Sequence, residues 1–419
     1  MNPRRTPWSI VALLCATATA GYLCRVNIST AGALLMEEFG LDQVGMGRVF
    51  SAFVLGYAIF QIPGGALADR FGAKSVLQVA ALCWTALTVA QAVVGFRGFP
   101  IGGTTAILSL LVLRFLLGVA AAPTYPGAAQ GVARWVPSRD RGRASGIVLA
   151  SIGLGSALAP PLLSHVMTNW GWRAALFLSA LPALVVALIW RKVAEPPSRT
   201  QAEGEKFPAP ESGTGWARLR TPGFALLTLS YTLQGYVGYI FVFWFYLYLV
   251  QERKFDLLQG AWASTLPWVL SMGSIPLGGL LSDRLAVSGL GPAWGRRAMP
   301  ILGLGSSGIL IAIGAHTESP VTAAVSLALA TALLLSVEGP FWATMIGIAG
   351  PSSGAAGGIM NMGSNLGGFV SPMLTPLLAR HIGWENALYV AAALSLVAAA
   401  LWLGIHPEVG SPPNDEART

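Results

Sequence analysis

Two arginines stand alone inside long apolar runs of this 419-residue chain, Arg25 and Arg114. An arginine at the centre of a bilayer costs about 2.5–3.5 kcal/mol on insertion scales and stays protonated. Each therefore needs a partner that repays its burial. Carboxylates are nearly missing from the same runs. The only acidic residue deep in one is Glu338, in Ser336-Val337-Glu338-Gly339-Pro340-Phe341-Trp342. Two buried cations with so little buried anion make an electropositive cavity, and complementarity makes its solute a small organic anion. A guanidinium fork matches a carboxylate bidentately. The bland reading of Arg25 is a structural ion pair. For Arg114 it is a bond to backbone carbonyls of a neighbouring helix.

Glu338 has three open readings: it balances an arginine when no solute is bound, it is a proton or cation site, or it is protonated and hydrogen-bonded beside the Gly-Pro break. Around these charges lie polar and aromatic residues inside the apolar runs. They are Tyr22, three residues before Arg25 on the same helical face, then Asn27, Tyr57, Gln234, Tyr239, Trp342, Asn361 and Asn365. Each can hold a solute hydroxyl or bond a neighbouring helix. No histidine or cysteine cluster has metal-ligand spacing, and no nucleophile stands beside a base. We expect no cofactor, no metal and no enzyme activity.

Helices that span a membrane must position these groups. The chain is 54% hydrophobic and only 11% charged, whereas a soluble domain carries about 25% charged residues. Twelve apolar windows are each long enough to cross a bilayer as a helix, roughly 8–36, 45–68, 74–96, 104–135, 143–167, 172–191, 221–250, 258–282, 298–316, 319–349, 354–379 and 384–404. The fold class is an all-α membrane protein of two six-helix bundles. A bundle over 1–191 is joined by a Pro- and Gly-containing linker, 192–220, to a bundle over 221–404 and a tail, 405–419. The run ending Ala18-Thr19-Ala20 mimics a signal-peptidase site, but the repeat described next needs this first span intact, and we expect it to be kept.

The bundles repeat one another. Gly171-Trp172 and Gly383-Trp384 open the sixth and twelfth spans, Gly146-Ile147 and Gly358-Ile359 the fifth and eleventh. Gly64-Gly65-Ala66-Leu67-Ala68-Asp69-Arg70 recurs as Gly278-Gly279-Leu280-Leu281-Ser282-Asp283-Arg284. Asp69, Arg70, Asp283 and Arg284, with Asp140 and Arg141, read as a gate whose charge pairing differs between two states. Parallel six-helix repeats are a transporter architecture with its site at the midplane between the halves.

The net charge of +8 does not signal nucleic acid, because eighteen of the 26 lysines and arginines fall in loops on one side of the spans and six on the other. That bias puts both termini and the linker in the cytoplasm. Trp8, Trp135, Trp170, Trp172, Trp190 and Trp384 lie near span ends, where indoles prefer the interface. The partners expected are the lipid bilayer, the anion, and a coupling proton or cation as an open case. A monomer is the expected state.

Tyr22-Leu23-Cys24-Arg25-Val26-Asn27, the stretch from Ser51-Ala52-Phe53 through Tyr57 to Gln61-Ile62-Pro63-Gly64-Gly65, Arg114-Phe115-Leu116-Leu117-Gly118-Val119 and Asn365-Leu366-Gly367-Gly368 carry a family resemblance. The chain resembles a major facilitator superfamily transporter over its whole length. More narrowly it is similar to the anion:cation symporters, which include galactonate, glucarate and hexuronate symporters, sialin and the vesicular glutamate transporters. The resemblance implies a bacterial inner-membrane carrier working by alternating access. It also implies an anion-binding Arg25, a cavity-facing Arg114, and Tyr22, Tyr57 and Trp342 as site residues. Two departures stand out. The resembling proton symporters have an Asp before the first-span Arg, here Cys24, and a Glu seven residues after the fourth-span Arg, here Ala121. Proton coupling is therefore expected to be atypical or lost. A transporter-like receptor and a lipid flippase are the alternatives. Retained gate motifs in both halves oppose the first, and paired buried arginines oppose the second.

Overall fold

A computed structural model describes residues 7–96, 103–193, 219–288, 291–349 and 353–406. The 192–220 linker and the 405–419 tail lie almost entirely outside the described residues. Fifteen helices occur in order among those described: α1 (Trp8–Thr30), α2 (Gly32–Phe39), α3 (Gln43–Phe71), α4 (Ala73–Val93), α5 (Gly103–Ala121), α6 (Thr124–Trp135), α7 (Ser138–Lys192), α8 (Pro222–Phe243), α9 (Phe245–Gln251), α10 (Leu257–Ala263), α11 (Leu266–Ala286), α12 (Pro292–His316), α13 (Pro320–Ser336), α14 (Glu338–Ala349) and α15 (Ser353–Leu401). No strand occurs among them.

Among the described residues, nine helical stretches are long and apolar enough to cross a membrane. Two of these, Arg143–Lys192 and Ala356–Leu401, are 50 and 46 residues long, twice what a bilayer needs. Each turns once, at Gly171 (φ 80°) and Gly383 (φ 84°). Only glycine adopts that backbone without strain, which is why Gly-Trp marks the start of the sixth and twelfth spans. Each long helix thus makes two passes. The pair α10 and α11 supplies the remaining one, so twelve passes form two bundles of six.

Several spans expected to be continuous are broken. The first breaks at Ala31, the fourth before α6 at Pro123, the seventh at Trp244 and the tenth at Val337. Proline lacks an N–H and cannot continue a helical ladder, which accounts for the break at Pro123 and is in keeping with Pro340 in the first turn of α14. The chain re-enters helices with local caps. The Asp42 carboxylate accepts from the Gly45 N–H at 2.7 Å, and that of Asp256 from Gln259 at 2.7 Å.

The helices that surround the site approach closely. Gly155 of α7 lies where a Cβ would press on Thr19 and Tyr22 of α1, and Gly367 of α15 where one would overlap the Thr232 carbonyl of α8. These are equivalent contacts in the two halves. A carbon at Gly118 would meet the Phe53 carbonyl, so α5 and α3 also touch backbone to backbone. Large apolar side chains on the outside, such as Ile62 at 72% and Leu277 at 63% exposed, suit a lipid solvent. The tryptophans near span ends differ in their packing. Trp170 is exposed, but Trp190 is fully buried, 6.1 Å from Trp135, and its indole donates to Thr17 Oγ1 at 2.9 Å. An indole with a buried hydroxyl partner has no need of the headgroup layer.

Candidate functional site

The halves meet tightly at the end that carries Asp42 and Arg380. Gln43 Nε2 donates to Gln251 Oε1 at 3.1 Å, and Arg380 pairs with Asp42 at 3.5 Å. Deeper in, Phe50 stacks on Phe243 at 5.0 Å and meets Trp244 edge-on at 5.3 Å. Ser51 Oγ donates to the Phe369 carbonyl at 2.7 Å. At the opposite end Arg70, Asp283 and Arg284 are exposed. The Asp69 side chain lies outside the described residues. Arg141 donates to the Ala133 and Val136 carbonyls at 2.9 and 3.2 Å and so holds the C-terminal end of α6. Asp140 sits in the first turn of α7.

Arg25 lies between these ends and is 8% exposed. Its Nη1 donates to Tyr22 Oη at 3.3 Å and its Nη2 to Tyr239 Oη at 2.9 Å. The guanidinium carbon lies 5.1 to 5.5 Å from the ring centres of Tyr22, Phe53, Tyr57 and Tyr239. The charge thus rests in an aromatic cage, which attracts a cation without neutralising it. Among the described residues no carboxylate pairs with it, and its buried Nε has no partner.

A chain of hydrogen bonds leads away on both sides. Tyr22 and Tyr125 share one at 2.9 Å. Tyr239 donates to Asn365 Oδ1 at 3.0 Å, Asn365 Nδ2 to Gln61 Oε1 at 3.2 Å, and Gln61 Nε2 to Tyr57 Oη at 3.4 Å. This chain joins α6, α1, α8, α15 and α3, and so ties the two halves through Arg25. Tyr22, Arg25, Phe53, Tyr57, Trp84 and Tyr125 line a cavity of about 30 Å³. Such a space holds about one or two waters. It is too small for an organic anion.

Arg114 is placed differently from its sequence expectation. It is completely buried, and its Nη1 and Nη2 donate to the Cys24 and Arg25 carbonyls at 3.4 and 2.9 Å. It does not line the cavity. With its guanidinium spent on α1 backbone and 4.9 Å from the Phe53 ring centre, it stands behind Arg25 and holds it in position. Asn27 likewise turns away, donating to Ser179 Oγ at 2.9 Å. The Cys24 thiol donates to the Ser179 carbonyl at 3.4 Å. The position that carries an acid in the resembling symporters therefore faces α7 here.

Glu338 opens α14, and its carboxylate has two firm donors. Tyr231 Oη donates at 2.8 Å and Gln234 Nε2 at 2.9 Å, while the Trp342 side chain lies against it one turn on. Among the described residues no cation reaches it, so it balances neither arginine in this state. A carboxylate in the first turn of a helix is favoured by the unpaired N–H groups there. Asn361 contributes its backbone carbonyl, which accepts from Asn365 Nδ2 at 3.0 Å.

Tyr125, Gln61, Phe53 and Tyr231 belong to this network but were not among the residues expected from sequence. Gln61 was legible as the residue one turn beyond Tyr57, and Tyr231 as the phenol one turn before Gln234.

The sequence matches the Major Facilitator Superfamily over residues 13–353 and again over 294–419. A Cupriavidus necator protein named as a probable sulfoacetate transporter is 33% identical, covering 98% of this chain and 96% of its own. A Bacillus subtilis protein named as a probable galactarate/D-glucarate transporter is 29% identical over 94% of this chain and 90% of its own. A solved bacterial homologue of the human lysosomal transporter Spinster, inward-facing and occupied, superposes with a TM-score of 0.80 at 18% identity, covering 95% and 96% of the two chains. From its paired bundles, its sequence and its relatives, the chain is a membrane-embedded member of the Major Facilitator Superfamily, a transporter and not an enzyme.

Proposed function

We propose that this protein carries a small organic anion, a carboxylate or sulfonate, across the bacterial inner membrane by alternating access. One observation carries the reading: Arg25 is a caged guanidinium between the halves with an unpartnered Nε and only phenols on its Nη atoms. A hydrogen bond between two charged groups is stronger than one to a phenol, so an anion can displace Tyr239 from Arg25. The names of the relatives, sulfoacetate and galactarate/D-glucarate transporters, support this solute class.

The bias of basic residues to one side supports cytoplasmic termini and a cytoplasmic 192–220 linker. In that orientation the contact at Asp42 and Arg380 closes the periplasmic end and the Asp-Arg motifs face the cytoplasm. The halves 1–191 and 221–404 rock about the site, and the gate charges re-pair when the other end closes. Coupling does not run through the carboxylates of the resembling symporters, since Cys24 and Ala121 replace them.

The test is counterflow of labelled anions in proteoliposomes, D-gluconate and isethionate beside glucarate and sulfoacetate, without a pH gradient. Uptake by the wild type and its loss in Arg25→Ala are the expected results. Full uptake by Arg25→Ala would overturn the reading.

A further inference from the structure

The geometry points to Glu338 as the residue that sets the charge of the solute: we propose that it restricts the site to singly charged anions whose far end carries hydrogen-bond donors. The inference rests on the organic-anion reading above.

Glu338 and Arg25 share one helix as their scaffold. Tyr239 of α8 holds the Arg25 guanidinium, while Tyr231 and Gln234 of the same helix hold the carboxylate. Five to eight residues of α-helix separate these partners, a rise of about 7–12 Å. That is the span of an extended six-carbon acid. Glu338 is half-buried as a residue, as is Asn361 on α15, and Trp342 beside it is exposed. Tyr231 and Gln234 are themselves buried, so they fix the group in place.

An ionised carboxylate accepts hydrogen bonds and donates none. Both of its firm partners are donors, Tyr231 Oη and Gln234 Nε2, an arrangement that suits the ionised form. A solute bound to Arg25 by one acid group therefore meets an acceptor at its other end. Hydroxyls or an ammonium there gain a charge-assisted bond. A second carboxylate there meets a like charge in a water-poor cleft, which suppresses binding strongly. Arg114 does not relieve this, because both of its Nη groups already serve the Cys24 and Arg25 carbonyls.

Matched probes isolate the effect. D-Gluconate and D-glucarate differ only in a terminal CH2OH against a carboxylate. Isethionate and sulfoacetate differ in the same way on a sulfonate. Affinities of all four for the purified full-length protein are measured by thermal shift and by competition. For the pair that binds, the wild type is expected to prefer the monoanion by about tenfold or more. Glu338→Gln is expected to bring the two within about threefold by admitting the dianion, and Glu338→Asp to keep the preference. Equal or tighter dianion binding by the wild type overturns the inference without recourse to any variant. So does an unchanged preference in a folded Glu338→Gln protein. If none of the four binds the wild type, the organic-anion reading itself falls and takes this inference with it.

Discussion

Arg25 and Tyr239 are hydrogen-bonded at 2.9 Å and lie 214 positions apart, the same interval that separates Asp69 from Asp283. The first and seventh spans break at Ala31 and Trp244, 213 positions apart, so Tyr239 lies one position past the counterpart of Arg25, and the two residues touch between the halves. One half presents a charge there and the other a neutral hydroxyl. On the proposed function, the contact that joins the halves is the contact an arriving anion competes for.

Tyr239→Phe tests that contact. A hydrogen bond to a charged group contributes about 1.5–3 kcal/mol, so the ligand-free protein should melt earlier by a corresponding amount. Anion binding should survive, because Arg25 is untouched. A variant that loses binding altogether while keeping its melting temperature would show that Tyr239 holds the solute and not the empty state.

Arg25→Lys separates charge from shape. It keeps the cation but loses the planar fork that grips two oxygens at once. We expect anion affinity to fall about tenfold or more while expression and melting change little, as measured by thermal shift across a concentration series.

Arg114 should behave as a scaffold. Its removal takes a second donor from the Cys24 and Arg25 carbonyls and leaves a void, and large-to-small changes in a packed core typically cost about 2–5 kcal/mol. Arg114→Ala should therefore lower the melting temperature in the absence of any anion. A direct ligand would instead give a variant as stable as wild type that no longer responds to solute.

Gly47 of α3 lies where a Cβ would overlap the Pro372 carbonyl of α15. Gly47→Ala should wedge the halves apart at the Asp42 end and favour the opposite conformation. A cysteine at the buried Ser51 should then react with a maleimide several-fold faster in the Gly47→Ala background, read by mass spectrometry.

Glu38 reports on pH at the loop end of the first half. Arg173 donates to its two carboxylate oxygens at 2.6 and 2.9 Å and Trp172 to one of them at 2.7 Å. The Arg173 bonds above all hold its carboxyl below the usual range. A lowered carboxyl stabilises the fold at any pH above the ordinary glutamate value of about 4.3, and that contribution fades as pH falls through the lowered value. Melting temperatures of wild type and Glu38→Gln should differ at pH 7, differ equally at pH 5.5, and converge only below about pH 4.

Much of this was legible in the sequence, for physical reasons. A span is a matter of length and hydropathy, and a repeat shows wherever two stretches must solve one packing problem, as Gly171 and Gly383 do at their turns. Arg25 was legible because a lone charge in lipid needs a reason. The direction of Arg114 was not. Its place on α5 tells which span it lies in, but not which side of it packs against α1, and that is set by the close contact of Gly118 with Phe53. Tyr125 was missed because it follows a break at Pro123 that an apolar run of this length conceals. Asn27 shows the converse: a polar residue next to the site in sequence whose partner, Ser179, lies on the far side of its helix.

The breaks in the fourth and tenth spans place Tyr125 and Glu338 one position from matching points of the two halves, since α6 begins at Thr124 and α14 at Glu338. One shares a bond with Tyr22, the other with Tyr231 and Gln234. Two identical halves meeting as a homodimer could not build this centre, because arginine would face arginine and carboxylate would face carboxylate. The arrangement works only in a single fused chain whose copies have been free to diverge. On the proposed site, the direction in which a solute lies is therefore written in the inequality of the two copies.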